Sequence, residues 1–313
     1  MSIIDEIAQS ILAIGEASEE SLAVKRFNEL IKGTRLHGLT QDIRAYLKKQ
    51  RGVIRKKHLV RFQQYLLLMK VYIDVADHVG RKWRNSANKE STKYRINTSS
   101  KLFFKSIQIC LDLLTLMENG SLTSSLSIWR NIYENYVVSL FLLSHDETIS
   151  RRFNDHQVVD LLTIVEDVRQ KAKYDEKMNT LVAEYGDHFI ETYGWAYETG
   201  QKRIKTFHAL RRIVDEKEFH GYYKLTSNLL HASSLSVNRS FFSDGEHGNI
   251  NMIGIFDRNL HLPYRLTVQL MKTFSNVLVD YFYDDDDFEK NVVTSVTNIV
   301  SDFAIGSDRN HGK

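Results

Sequence analysis

Three stretches of helix-period sequence carry polar groups where core residues are expected: Arg130 with Glu134, Arg152 with His156, and Ser227 with His231. Each pair is one helical turn apart, so its members share a face. Burying such groups unpaired is costly, and the spacing therefore predicts that the three faces meet. A cation, a carboxylate, an imidazole and a hydroxyl in one low-dielectric place make a general acid/base site beside a phosphate-binding arginine. In that reading Arg130 and Arg152 hold phosphate, His231 moves the proton with His156 as second candidate, Ser227 adds a hydroxyl, and Glu134 orients its neighbours. The same groups also make a buried hydrogen-bond network that fixes helix register and does no chemistry.

Other chemistries lack their residues. Phosphate-cradling glycine loops, dinucleotide fingerprints and serine elbows are absent from the sequence. A di-metal bundle needs inward Glu-x-x-His pairs, which do not occur in that order. Glu184, His188 and Glu191 share a face but read as a surface charge cluster. The lone Cys110 excludes an intramolecular disulfide and a cysteine-rich zinc site. No cofactor or metal is expected.

The elements that must position these groups are helices. One proline, Pro263, and 15 glycines in 313 residues leave long uninterrupted helical patterns. Ser2 and Ser18 are placed to cap two N-terminal helices, and Thr40 a short basic helix. A long helix is expected over 56–89, and the polar run RNSANKESTKYRINTSS after it reads as a connector. Further helices are expected from about 98 to the Asn119-Gly120 turn, over 121–144, 147–172, 216–242, 260–283 and 288–304, with a shorter helix and a looser segment over 175–205. DGEHGNINMIG alone has hairpin chemistry. The expected fold is all-α, a multi-helix bundle over 97–284, preceded by a basic helical region over 1–96 and followed by a helix and tail over 285–313.

Charge is segregated along the chain. Residues 35–95 hold 16 Lys and Arg against four acids, a net +12, so the remainder carries −9 within a total of +3. The steepest part contains Lys48, Lys49, Arg51, Arg55, Lys56, Lys57 and Arg61, which suits nucleic-acid phosphates, RNA above all, or an acidic protein partner. A solvated face docked near Asp284 to Asp287 is the bland explanation. Acidic residues near the N-terminus and the lack of a long apolar run point to a cytoplasmic protein without a membrane partner. The apolar 121–144 helix allows a homodimer without requiring one.

The motifs resemble an uncharacterised all-helical bacterial family, a domain of unknown function. Its pattern is R-x-x-x-E, here Arg130 and Glu134; R-F, here Arg152 and Phe153; and Y-x-x-x-S-x-x-x-H-x-S, here Tyr223, Ser227, His231 and Ser233. The likeness covers about 97–283. A more distant likeness is to HEPN domains, helical proteins of toxin–antitoxin and phage-defence systems, many of them metal-independent ribonucleases. That resemblance implies Arg at the scissile phosphate and His at proton transfer around the attacking ribose 2′-hydroxyl. The HEPN spacing of Arg and His recurs at Arg51/His58, Arg151/His156 and Arg203/His208, as often as chance gives. After Arg130-Asn131 the histidine window holds Asn135, Tyr136 and Val137, so His231 would have to supply the imidazole. The expected function is therefore a defence or toxin-type protein acting on RNA. The alternative is a non-enzymatic helical subunit of a defence complex that binds its partner through the basic region.

Overall fold

The computed structural model describes residues 62–78, 93–197, 203–230 and 261–282, two short strands, and a few isolated positions. The chain divides into two compact units, Met1–Lys57 and His58–Lys313, and the fold described is that of the second. The expected helices before residue 56, His231, most of the 288–304 helix, and all of the basic segment except Lys56 lie outside the described residues.

The described helices are α1 (62–78), α2 (Lys93–Glu118), α3 (Leu122–Ser144), α4 (Glu147–Asp155), α5 (Gln157–Ile164), α6 (Val168–Tyr185), α7 (Phe207–Ile213), α8 (His220–Leu230) and α9 (His261–Phe282). The fold is all-α, with one small hairpin among the described residues. Its strands β1 (Phe241–Ser243) and β2 (Asn249–Asn251) pair antiparallel, Phe242 opposite Ile250, within the stretch whose turn residues predict a hairpin. No described helix is long and apolar enough to cross a membrane.

α3 is apolar around most of its circumference and lies at the centre, packed against α2, α7, α8 and α9. Trp129, Ile132, Tyr133 and Val137 are fully buried. Its aromatic rings interlock with those of its neighbours: Tyr133 packs edge-on to Phe207 at 5.8 Å between centroids, and Tyr136 meets Phe274 at 5.4 Å. Aromatic contacts of this kind add to plain area burial and fix helix rotation.

The connector expected before Thr98 is shorter than its polar composition suggests. α2 starts at Lys93, and Thr98, Ser99 and Ser100 are buried. The Glu147 carboxylate accepts from the Tyr94 and Arg95 amides at 2.9 and 3.0 Å, satisfying first-turn donors from a distant element. Nor does the core stop at the expected 96/97 boundary. Met69, Tyr72 and Ile73 of α1 belong to the same buried cluster as α2, α3 and α9, and the Tyr72 hydroxyl donates to the Met271 carbonyl at 2.9 Å.

The expected 147–172 helix is broken twice. Asp146 caps α4 by accepting from the Thr148 and Ile149 amides, and His156 forms the joint with α5. Beyond Ile164 the chain extends at Val165, and Asp167 caps α6 through the Gln170 amide at 2.8 Å. Aspartate competes well for helix N-caps, and apolar periodicity alone does not register that competition. The segment after α6 forms two short 3-10 turns, Asp187–Ile190 and Gly194–Ala196.

Candidate functional site

Arg130 and Glu134 lie one turn apart on α3, with side chains 25 % and 36 % exposed, and pair at 2.9 Å. The Arg130 fork also reaches across to α8, where Nη1 donates to Ser227 Oγ at 3.0 Å and Nη2 to the Tyr223 hydroxyl at 2.8 Å. Tyr223 in turn donates to Glu134 Oε1 at 3.1 Å, closing a ring of three groups. The guanidinium also sits 4.8 Å from the Tyr223 ring centroid, close enough for a cation–π contribution. Two of the three expected faces therefore meet: Arg130 and Glu134 with Ser227. Tyr223 joins them because it precedes Ser227 by one turn.

Burial works against the charge on Arg130, but the hydrogen bond it donates to Glu134, followed by the fields of Tyr223 and Glu134, outweighs it and raises the pKa above the usual arginine value. Burial first, then the Glu134 carboxylate, pushes Tyr223 up to about 12 despite the opposing pull of Arg130. Tyr223 is therefore a neutral donor at physiological pH. Tyr193 is half-buried beside the same pair. Its hydroxyl is raised by desolvation and then by Glu134, against Arg130. The arrangement offers a fixed cation, one carboxylate and several hydroxyls at a partly open surface, which is suited to holding an oxyanion.

Arg152 and His156, expected in the same place, are committed elsewhere. Arg152 is 7 % exposed; Nη2 donates to the Gly194 carbonyl at 2.8 Å and Nη1 to the Tyr197 carbonyl. Its guanidinium lies 5.2 Å from the Tyr185 ring centroid. His156 is buried with Nε2 2.9 Å from the Glu191 carbonyl. A carbonyl only accepts, so Nε2 carries a proton, and desolvation holds the imidazole below its ordinary pKa and neutral. The cause is that an irregular segment has no ladder for its carbonyls, and these two side chains take that role. Gly194 belongs to the same device, since a Cβ there would collide with the His188 and Phe189 carbonyls.

The two networks are nevertheless linked by chain. Arg152 binds the carbonyl of Gly194, the residue after Tyr193, and so helps to set where Tyr193 stands. Sequence reasoning missed Tyr193 because it lies in an irregular segment with no periodic partner. It also missed Glu216, which is buried, accepts from the Tyr133 hydroxyl and, at 2.8 Å, from the Phe219 amide. An acid three residues before Phe219 is a turn-capping signal, and a tyrosine within an apolar helix signals the need for a partner.

Among the described residues, no group of three His, Cys, Asp or Glu side chains is gathered to hold a metal ion. Glu191 pairs with Arg203 at 3.1 Å, and Glu184 lies 3.3 Å from Arg151. No curated protein and no solved structure matches the chain. The stretch that holds Arg130, Glu134, Tyr193, Tyr223 and Ser227 is nevertheless a recognisable unit: residues 97–249 match the model of DUF5677, a family of unknown function, in keeping with the motif resemblance to an uncharacterised helical domain.

Proposed function

We propose that this chain acts on RNA as a metal-independent, HEPN-like ribonuclease of defence or toxin type, with its site at Arg130. The observation that carries the reading is the partly exposed Arg130 fork, oriented by Glu134 and flanked by the Tyr223 and Ser227 hydroxyls. A planar guanidinium held in this way matches two oxygens of a phosphodiester. His231 follows Ser227 by four residues in the sequence and serves as acid/base. It takes the ribose 2′-hydroxyl proton, the freed oxygen attacks phosphorus, and the 5′-oxygen leaves with a proton to give a cyclic phosphate. The 48–61 basic segment adds salt-sensitive affinity that is independent of sequence.

A second reading has its own support. The bonds of Arg130 tie α3 to α8, as a purely structural network in a partner-binding helical subunit would. Labelled mixed RNA incubated with the purified chain in EDTA separates the two. Cleavage by the wild type that is lost in folded Arg130→Ala and His231→Ala variants supports the nuclease. Intact RNA with wild type, or cleavage that survives both substitutions, overturns it in favour of the interaction subunit.

A further inference from the structure

The turn between α7 and α8 has features that the Arg130 site does not use. A cleft of about 420 Å³ is lined by Arg211, Arg212, Asp215, Lys217 and His220. Four of these five are cationic or can become so. The one carboxylate, Asp215, is already paired with Lys217 at 2.9 Å. Arg211 is 8 % exposed and anchored by donation from Nη1 to the Glu216 carbonyl, yet its Nε is buried without a hydrogen-bond partner. His220 Nδ1 is likewise buried and unpartnered. Buried polar atoms in native proteins are nearly always satisfied, and two residues of this cleft each leave one without a partner in the chain: Arg211 Nε, always a donor, and His220 Nδ1, a donor once the ring is protonated.

The backbone keeps this arrangement in place. Asp215 adopts φ +51°, in the left-handed region that aspartate tolerates better than most residues. The turn it makes closes α7 and returns Lys217 toward the end of that helix. Glu216 is buried and held by the Tyr133 hydroxyl and the Phe219 amide. Arg212 and Lys217 are exposed, so the walls of the cleft face solvent.

We propose that this cleft binds the phosphoryl group of a small phosphorylated ligand, with Arg211 and His220 at its base and Arg212 and Lys217 at its rim. The volume suits a compact ligand group. The proposal does not depend on the RNA reading. The electrostatics agree with it. Desolvation holds His220 below its ordinary pKa, followed by Arg211 and His208 on α7 and Lys224 on α8, with Glu216 opposing them. A bound oxyanion reverses that balance, as an opposite charge beside an imidazole does.

The test uses the full chain with isotope-labelled histidine, followed by NMR through a pH titration, with the His220→Gln variant identifying the resonance. Inorganic phosphate, compared with chloride at equal ionic strength, is expected to move the His220 midpoint upward. The Arg212→Gln/Lys217→Gln variant, altered at exposed positions, is expected to lose that shift while retaining its melting temperature. Asp215→Asn, which removes the competing carboxylate, is expected to produce the shift at lower phosphate. Three results overturn the proposal: a midpoint equal in phosphate and chloride, a shift that survives the double variant, or a shift produced by an RNA oligonucleotide and not by phosphate.

Discussion

Two arginines, each followed four residues later by a polar side chain, have opposite fates. Arg130 bonds to the side chains of another helix at a partly open surface, whereas Arg152 bonds to backbone carbonyls and is buried. Side chains can rotate to admit a ligand, whereas backbone carbonyls within a tight turn cannot move without unfolding that turn. The first network is therefore suited to recognition and the second to positioning. Arg152 holds the segment that carries Tyr193, and so the second network supports the first.

If this division is right, the largest loss of stability comes from the positioning network. Arg152→Ala removes charged donors from the Gly194 and Tyr197 carbonyls and is expected to cost about 3 kcal/mol. Gly194→Ala is expected to cost at least as much, because the His188 and Phe189 carbonyls leave no room for a Cβ. Chemical denaturation measures both. A loss below about 1 kcal/mol for Arg152→Ala, the range of an ordinary surface pair, breaks the comparison.

The same network predicts an acid-sensitive fold. The pKa of His156 is lowered in the native state from 6.5 because burial disfavours the imidazolium. The unfolded chain then binds more protons over the interval between the two values, so stability falls as pH drops below about 6.5. Conservative replacement of the ring by His156→Gln is expected to flatten that slope. Denaturation midpoints at a series of pH values give the answer; an unchanged slope means that His156 does not carry the acid sensitivity.

How much of this was legible in the sequence follows from what each feature depends on. α3 and α9 were legible because apolar periodicity is set by the same burial that forms them, and the hairpin because its turn residues are local. The meeting of Arg130, Glu134 and Ser227 was legible because each lies on a regular helix whose inward face the pattern identifies. The place of Arg152 was not, because its partners are backbone carbonyls of Gly194 and Tyr197, and carbonyl positions have no sequence signature. The breaks at His156 and Val165 were hidden for a related reason: apolar spacing continues across them, while the restart after Val165 rests on capping by Asp167 and the joint at His156 has no side-chain cap at all.

Arg130→Ala gives the sharper form of the comparison. A partly exposed pair at i,i+4 contributes about 0.5 kcal/mol, and the two bonds to α8 bring the expected loss to about 1–2 kcal/mol, less than for Arg152→Ala. Its effect on RNA, in the proposed function, is the larger of the two. Measuring both stability and cleavage for the two variants therefore separates recognition from positioning.

Ser227→Ala is expected to have the smallest effect on stability. Ser227 contributes one hydroxyl that accepts from Arg130 Nη1 at 3.0 Å, and at a half-buried position the freed N–H can turn to water. The expected loss is about 0.5–1 kcal/mol. If Ser227 serves only to orient Arg130, Arg130→Ala and the double variant should be equally stable, because Ser227 then has nothing left to hold. A double-mutant cycle tests this directly. If removing Ser227 still costs stability without Arg130, the hydroxyl has another partner on α8, and the ring of Arg130, Glu134 and Tyr223 alone would be the recognition unit.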